Sequence, residues 1–156
     1  MSASSAHPGV GAGHHRTTIE TTTLTAGAVF ALAGILGFIP GITTNYSAMT
    51  FAGPDSGAML LGIFQVSILH NIVHLLFGAA GLVMGRNATQ SKYFLIGGGA
   101  LYLVIWLYGL LIDQASSANF IPVNTADNWL HVVLGAVMVA VGIFLGRGTA
   151  GTPSTR

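Results

Sequence analysis

Four long apolar stretches, each closed by a cluster of Gly, Pro, Asp or Asn, set the plan of this chain. They run from Thr23 to Ile42, Ala58 to Met84, Tyr93 to Ile112 and Thr125 to Leu145. Each holds the roughly 20 residues that a helix needs to cross ~30 Å of hydrocarbon. Peptide groups in lipid have no water to bond, so the pattern predicts helices and not open strands. The breaks are sharp: Pro40-Gly41, Gly53-Pro54-Asp55-Ser56, Arg86-Asn87, Asp113-Gln114 and Pro122-Val123-Asn124-Thr125.

Composition strengthens this expectation. Lys and Arg total 5, Asp and Glu total 4, and 52% of the 156 residues are hydrophobic, with a mean hydropathy of +0.72. A soluble domain carries about a quarter charged residues, so the lipid bilayer is the partner to expect. A net charge of +1 offers no basic patch for phosphates, and nucleic acid is not expected. The absence of cysteine removes disulfides, thiolate metal sites and thiol catalysis. Residues 1–23 are mostly small and polar and read as a disordered cytoplasmic tail; 24–147 form the four-helix membrane domain; 148–156 form a second disordered cytoplasmic tail. The first tail lacks the ordered parts of a secretory signal, and its His7, His14 and His15 are expected to be solvated.

Charge placement orients the spans. Arg16 precedes the first, Arg86 and Lys92 separate the second and third, and Arg147 and Arg156 follow the fourth; the other two loops carry only Asp55 and Asp113. The positive-inside rule makes the basic side, and with it both termini, cytoplasmic. The expected localisation is a bacterial cell membrane, crossed several times.

A polar phrase occurs twice within these apolar segments. Asn71-Ile72-Val73-His74 leads to Gly78-Ala79 and Gly81-x-x-x-Gly85-Arg86, and Asn128-Trp129-Leu130-His131 leads to Gly135-Ala136 and Gly142-x-x-x-Gly146-Arg147. Gly27-Ala28-Val29-Phe30 and Gly99-Ala100-Leu101-Tyr102 add a second match. The fold class expected is therefore an all-α integral membrane protein, with four transmembrane helices arranged as two tandem, parallel-duplicated helical hairpins. The motifs align with four extra residues in the second copy, about one helical turn. His70, His74, Gly78, Gly81 and Gly85 share one helical stripe, as do Asp127, His131, Gly135, Met138, Gly142 and Gly146. Small residues permit close helix contact, so these stripes face inward, although Gly-x-x-x-Gly faces also suit a homo-oligomer or a membrane-complex partner.

From Leu36-Gly37-Phe38-Ile39-Pro40-Gly41-Ile42-Thr43 onward, the chain resembles a bacterial, largely actinobacterial, membrane family known as domain of unknown function 4383. The matching phrases are His70-Asn71-Ile72-Val73-His74-Leu75-Leu76-Phe77-Gly78, Trp106-Leu107-Tyr108-Gly109 and Ala118-Asn119-Phe120-Ile121-Pro122-Val123-Asn124-Thr125-Ala126-Asp127-Asn128-Trp129-Leu130-His131. The resemblance spans roughly Leu24 to Arg147 and implies four membrane helices without implying an activity.

Polar side chains are costly in hydrocarbon, so His70, Asn71, His74, Asp127, Asn128 and His131 form the candidate cluster. The preferred reading is structural, in a membrane subunit that is itself structural or binds a partner. Asn71 and Asn128 hydrogen-bond across the hairpins, His74 and His131 complete the network, and Asp127 caps its helix with Asn124 or Thr125. The alternative uses the same histidines for a cofactor. His70, His74, His131 and Asp127 are possible ligands of a metal, and one His from each of two helices would ligate a b-type haem. Outer cations to meet haem propionates are lacking. Depth sets His131 level with His70, whereas the motif matches it with His74. Proton or quinone handling is a further form of the alternative, with Tyr102, Trp106 and Tyr108 as a wall. Catalysis has little support: Ser67 is read as a mid-span hydroxyl bonded to its own helix, and no nucleophile–base arrangement is present.

Overall fold

The computed structural model describes residues 15–149, with side chains as far as Arg147. His7 and His14 lie outside the described residues, whereas His15 is exposed. Four helices dominate: α1 (Thr18–Leu36), α2 (Ile68–Met84), α3 (Ala88–Leu111) and α4 (Thr125–Leu145), followed by a 3-10 turn over Gly146–Thr149. Three of them, α1 with 19 residues, α3 with 24 and α4 with 21, are long and apolar enough to cross a membrane. The shorter α2 is equally apolar but has 17 residues.

The helix starts are written in polar residues. Thr17 and Glu20 form a reciprocal capping box on α1, and this signal carries the helix into residues assigned above to the tail. Ser67 accepts from the His70 amide as the N-cap of α2, so it ends a loop and does not sit mid-span. Asn87 caps α3. Asn124 and Asp127 form the capping box of α4, whose bounds match the expected Thr125 to Leu145.

The second apolar stretch divides in two. Residues before Ile68 form a small antiparallel sheet, β1 (Thr43–Thr44), β2 (Met59–Leu60) and β3 (Phe64–Gln65), with Met59 opposite Gln65 and Leu60 opposite Phe64. Positive φ at Leu61 and Gly62 turns β2 into β3. The side chains of Ala58, Leu60 and Val66 bury together beside Leu36 and Ile42. The sheet and the loop of residues 112–124 share one end of the bundle, the loop end. Gly85, Arg86 and Asn87 connect α2 to α3 at the other, the turn end.

Helices α1 and α2 pack as one hairpin and α3 and α4 as another, each through glycine. A Cβ on Gly27 would lie 2.7 Å from the Leu82 nitrogen, and one on Gly99 would lie 2.8 Å from the Gly135 oxygen. Gly85 sits against Leu24, and Gly142 sits against Ile96. Gly81, Gly85, Gly142 and Gly146 are all buried, in contact with Gly27, Leu24, Ile96 and Lys92 of the neighbouring helix. Large apolar side chains such as Leu32, Leu76, Val104, Leu111 and Phe144 point outward. The interior combines glycines and polar side chains with an apolar core of Ile19, Phe30, Phe94, Leu95, Tyr102 and Met138. Glycine at the helix contacts with large apolar side chains outward is the packing expected of helices solvated by lipid tails.

Candidate functional site

The polar residues of α2 and α4 divide between two places, the asparagines inside each hairpin and His70 and Asp127 at the seam between hairpins. Asn71 packs its amide onto Gly37 at the end of α1, and Asn128 packs its amide onto Gly109 near the end of α3. A β-carbon at either glycine would overlap the asparagine Oδ1. Each asparagine therefore closes its own hairpin. Asn71 Nδ2 lies 4.0 Å from the thioether of Met49, a weak acceptor, and Asn128 Oδ1 is buried without a partner. No hydrogen bond joins Asn71 to Asn128 among the described residues, because their glycine seats hold both side chains within their hairpins.

The hydrogen bonds between hairpins come from other members of the cluster. His70 Nδ1 donates to Pro122 O at 3.0 Å; a carbonyl only accepts, which fixes the proton on Nδ1 and leaves Nε2 as an acceptor in the neutral ring. Asp127 Oδ2 accepts from the Gln65 amide at 3.0 Å and from the Asn124 amide at 2.9 Å. The carboxylate thus serves the α4 cap and the β3 strand together. Asn124 Nδ2 donates to Ile63 O at 2.8 Å, and Gly53 N donates to Phe120 O at 2.7 Å. All four links lie at the loop end.

Deeper in the bundle, rings replace hydrogen bonds. The His70 and His74 centroids are 4.7 Å apart. His74 meets Phe30 edge-on at 6.0 Å, and His131 meets Tyr102 edge-on at 5.1 Å. Phe30 and Tyr102 then meet each other at 5.3 Å across the seam, and Phe77 packs against both. Among the described residues, neither His70 nor His74 makes a ring contact or hydrogen bond with His131. Their meeting place is instead the lining of two cavities, of about 180 Å³ and 230 Å³, which His70, His74 and His131 all share with Tyr102. His131 is 5% exposed, and its Nδ1 has no hydrogen-bond partner.

The proposed metal set does not assemble. His70, His74, His131 and Asp127 contain no group of three metal-binding side chains placed around a common point among the described residues. His70 Nδ1 is engaged by Pro122, and Asp127 Oδ2 by two backbone amides.

A family model described as Domain of unknown function (DUF4383) matches residues 20–144. The chain belongs to the DUF4383 family. Comparison with curated proteins gives no match, and comparison with solved structures gives none.

Several residues of this DUF4383 site were not singled out from sequence. Gln65 and Pro122 enter through backbone atoms, which leave no mark in residue type. Ser67, read from sequence as a mid-span hydroxyl, is instead the N-cap of α2, whose signal is a hydroxyl that accepts from the amide three residues on, here that of His70. Gly37 and Gly109 stand alone among bulky residues, each as the seat of one asparagine. Trp106, expected beside Tyr102 and Tyr108, is absent from the lining of the cavity those tyrosines share.

Proposed function

We propose that this protein is a multi-pass bacterial cell-membrane subunit, structural or partner-binding, whose polar cluster joins two duplicated hairpins through His70 and Asp127. In this reading α2 crosses the bilayer with the other three helices, and the turn end, with both termini, is cytoplasmic. Arg16, Arg86, Lys92 and Arg147 all belong to that end, which supports the orientation.

The observation that carries the reading is a reciprocal pair of bonds. His70 of the first hairpin reaches Pro122 of the second, and Asp127 of the second reaches Gln65 of the first. The sequence step that carries His70 to Asp127 also carries Gln65 to Pro122, Asn71 to Asn128 and His74 to His131. Another constant step carries Leu24, Gly27, Phe30 and Gly37 to Ile96, Gly99, Tyr102 and Gly109. Exchanging the two hairpins therefore turns the His70–Pro122 bond into the Asp127–Gln65 bond, the Gly37 seat of Asn71 into the Gly109 seat of Asn128, and the Phe30–His74 ring contact into Tyr102–His131. Such exchange is the mark of an isologous interface, here within one chain.

Topology reporters test the arrangement. A fluorescent protein fused after α4 should fluoresce, and alkaline phosphatase inserted near Asp55 or Asp113 should be active. Inverted signals at these sites would contradict the orientation. A difference in side between Asp55 and Asp113 would contradict the parallel hairpins.

A further inference from the structure

The two cavities at the seam exchange into one another by the same steps, and where they differ points to a ligand. Val73, His74, Leu101, Ile105 and Val123 line the smaller cavity, between α2 and α3. Their counterparts Leu130, His131, Val29, Ala33 and Val66 line the larger, between α1 and α4. The smaller cavity then has Phe77 and Tyr108 where the larger has Leu134 and Leu36. The reverse exchange occurs once, with Phe64 of the larger where the smaller has Ile121, and Tyr102 lines both; with Phe77, Tyr108 and Phe120 the smaller is the more aromatic of the two.

We propose that the α2–α3 cavity binds the ring of a membrane-soluble quinone, entering sideways from the lipid. Leu101, Tyr108 and Phe120 of its lining are 49%, 43% and 55% exposed, so the opening lies on the outer face of the bundle. The volume, about 180 Å³, suits a six-membered ring, since a cavity of about 150 Å³ takes up benzene. A tetrapyrrole does not fit in such a space.

Chemistry narrows the occupant further. The Tyr102 hydroxyl and the His74 ring nitrogens make no hydrogen bond among the described residues, and His131 Nδ1 is buried without a partner. Polar groups in an apolar enclosure call for partners, which an acyl chain does not supply and ring carbonyls do. Tyr102 O–H and a His74 N–H donate to a quinone oxygen, and His70 Nε2, left as an acceptor, receives a hydroxyl of the reduced form. A phosphate or carboxylate head group is disfavoured, because every described Lys and Arg belongs to the turn end and the cavity borders the loop end. The proposal concerns binding alone and rests on the helices lying in lipid.

Photolabelling of the full chain in mild detergent with a tritiated azido-benzoquinone bearing a short alkyl tail tests this. Saturable label in α2 or α3 peptides is expected, displaced by decyl-benzoquinone and not by dodecanol. Absence of saturable label, label confined to α1 and α4, or equal displacement by dodecanol would overturn the proposal. Ile105→Trp fills the cavity and should abolish labelling, whereas Ala33→Trp, at the equivalent position, should leave it unchanged; equal effects would also overturn it. Tyr102→Phe guards against a misfolded tryptophan variant. It should weaken binding about tenfold, and wild-type affinity with an unchanged melting temperature would remove the phenol from the site. Failure of labelling leaves the topology-reporter signals as they are, so the two readings fail separately.

Discussion

The seam inside each hairpin and the seam between hairpins are built from different materials. Inside, glycine brings backbones together, as at Gly27 against Gly81 and Gly99 against Gly135, and one asparagine locks onto one glycine near the loop end. Between, the contact is made by rings around Phe30 and Tyr102 and by a few hydrogen bonds among the loops. The described cavities lie along this second seam, including one of about 440 Å³ bordered by Val29, Phe30, Leu134 and Val141. Backbone contact through glycine leaves no space, whereas ring and loop contacts leave cavities. The hairpins are closely packed within themselves, and the described cavities lie where they meet.

Substitutions should separate the two seams. The largest effect is expected from Gly27→Leu or Gly99→Leu, which force helices apart inside a hairpin. Each should lose about 3 kcal/mol or more, read as a collapse of the detergent melting transition or of the folded yield. Retention of the wild-type melting temperature would break the comparison. Next comes Asp127→Ala, which frees the amides of Gln65 and Asn124 at once. A loss of about 2 kcal/mol is expected, since two amides lose their acceptor at about 1 kcal/mol each. His70→Leu removes one neutral link between hairpins and should lose about 1 kcal/mol. Combining it with Asp127→Ala should be nearly additive, because the two bonds engage different partners. The smallest effect belongs to Trp129→Ala, 67% exposed, which should change the melting temperature little; its readout is retention in the membrane fraction.

Much of this was legible because lipid imposes strong rules. Four apolar stretches, the inward polar stripes and the Asn124–Asp127 cap follow from hydropathy, helical spacing and capping preference. The β2–β3 hairpin was not, since Met59, Leu60, Phe64 and Val66 are apolar enough to pass for helix, and only Gly57 and Gly62 hinted at a turn. The start of α1 was hidden in a polar, tail-like composition, although Thr17-x-x-Glu20 is a capping signature. In the site, residue type identified which groups were unusual but not whom they meet. Asn71 and Asn128 turned to glycines of their own hairpins, while His70 and Asp127 found backbone atoms in the opposite loops. Backbone partners carry no sequence signature, so the crossing of the two links becomes visible only in three dimensions.

That crossing is the central claim, and a chain without native cysteine allows a direct test. Paired substitutions Gln65→Cys with Asp127→Cys, and His70→Cys with Pro122→Cys, should each be bridged in native membranes by a short bifunctional methanethiosulfonate. Gln65→Cys paired with Gly97→Cys, which has open space beside it midway along α3, serves as the comparison and should not be bridged. Efficient bridging of both reciprocal pairs is the predicted result. Bridging of neither, or of one alone, would contradict a joint built from two equivalent bonds.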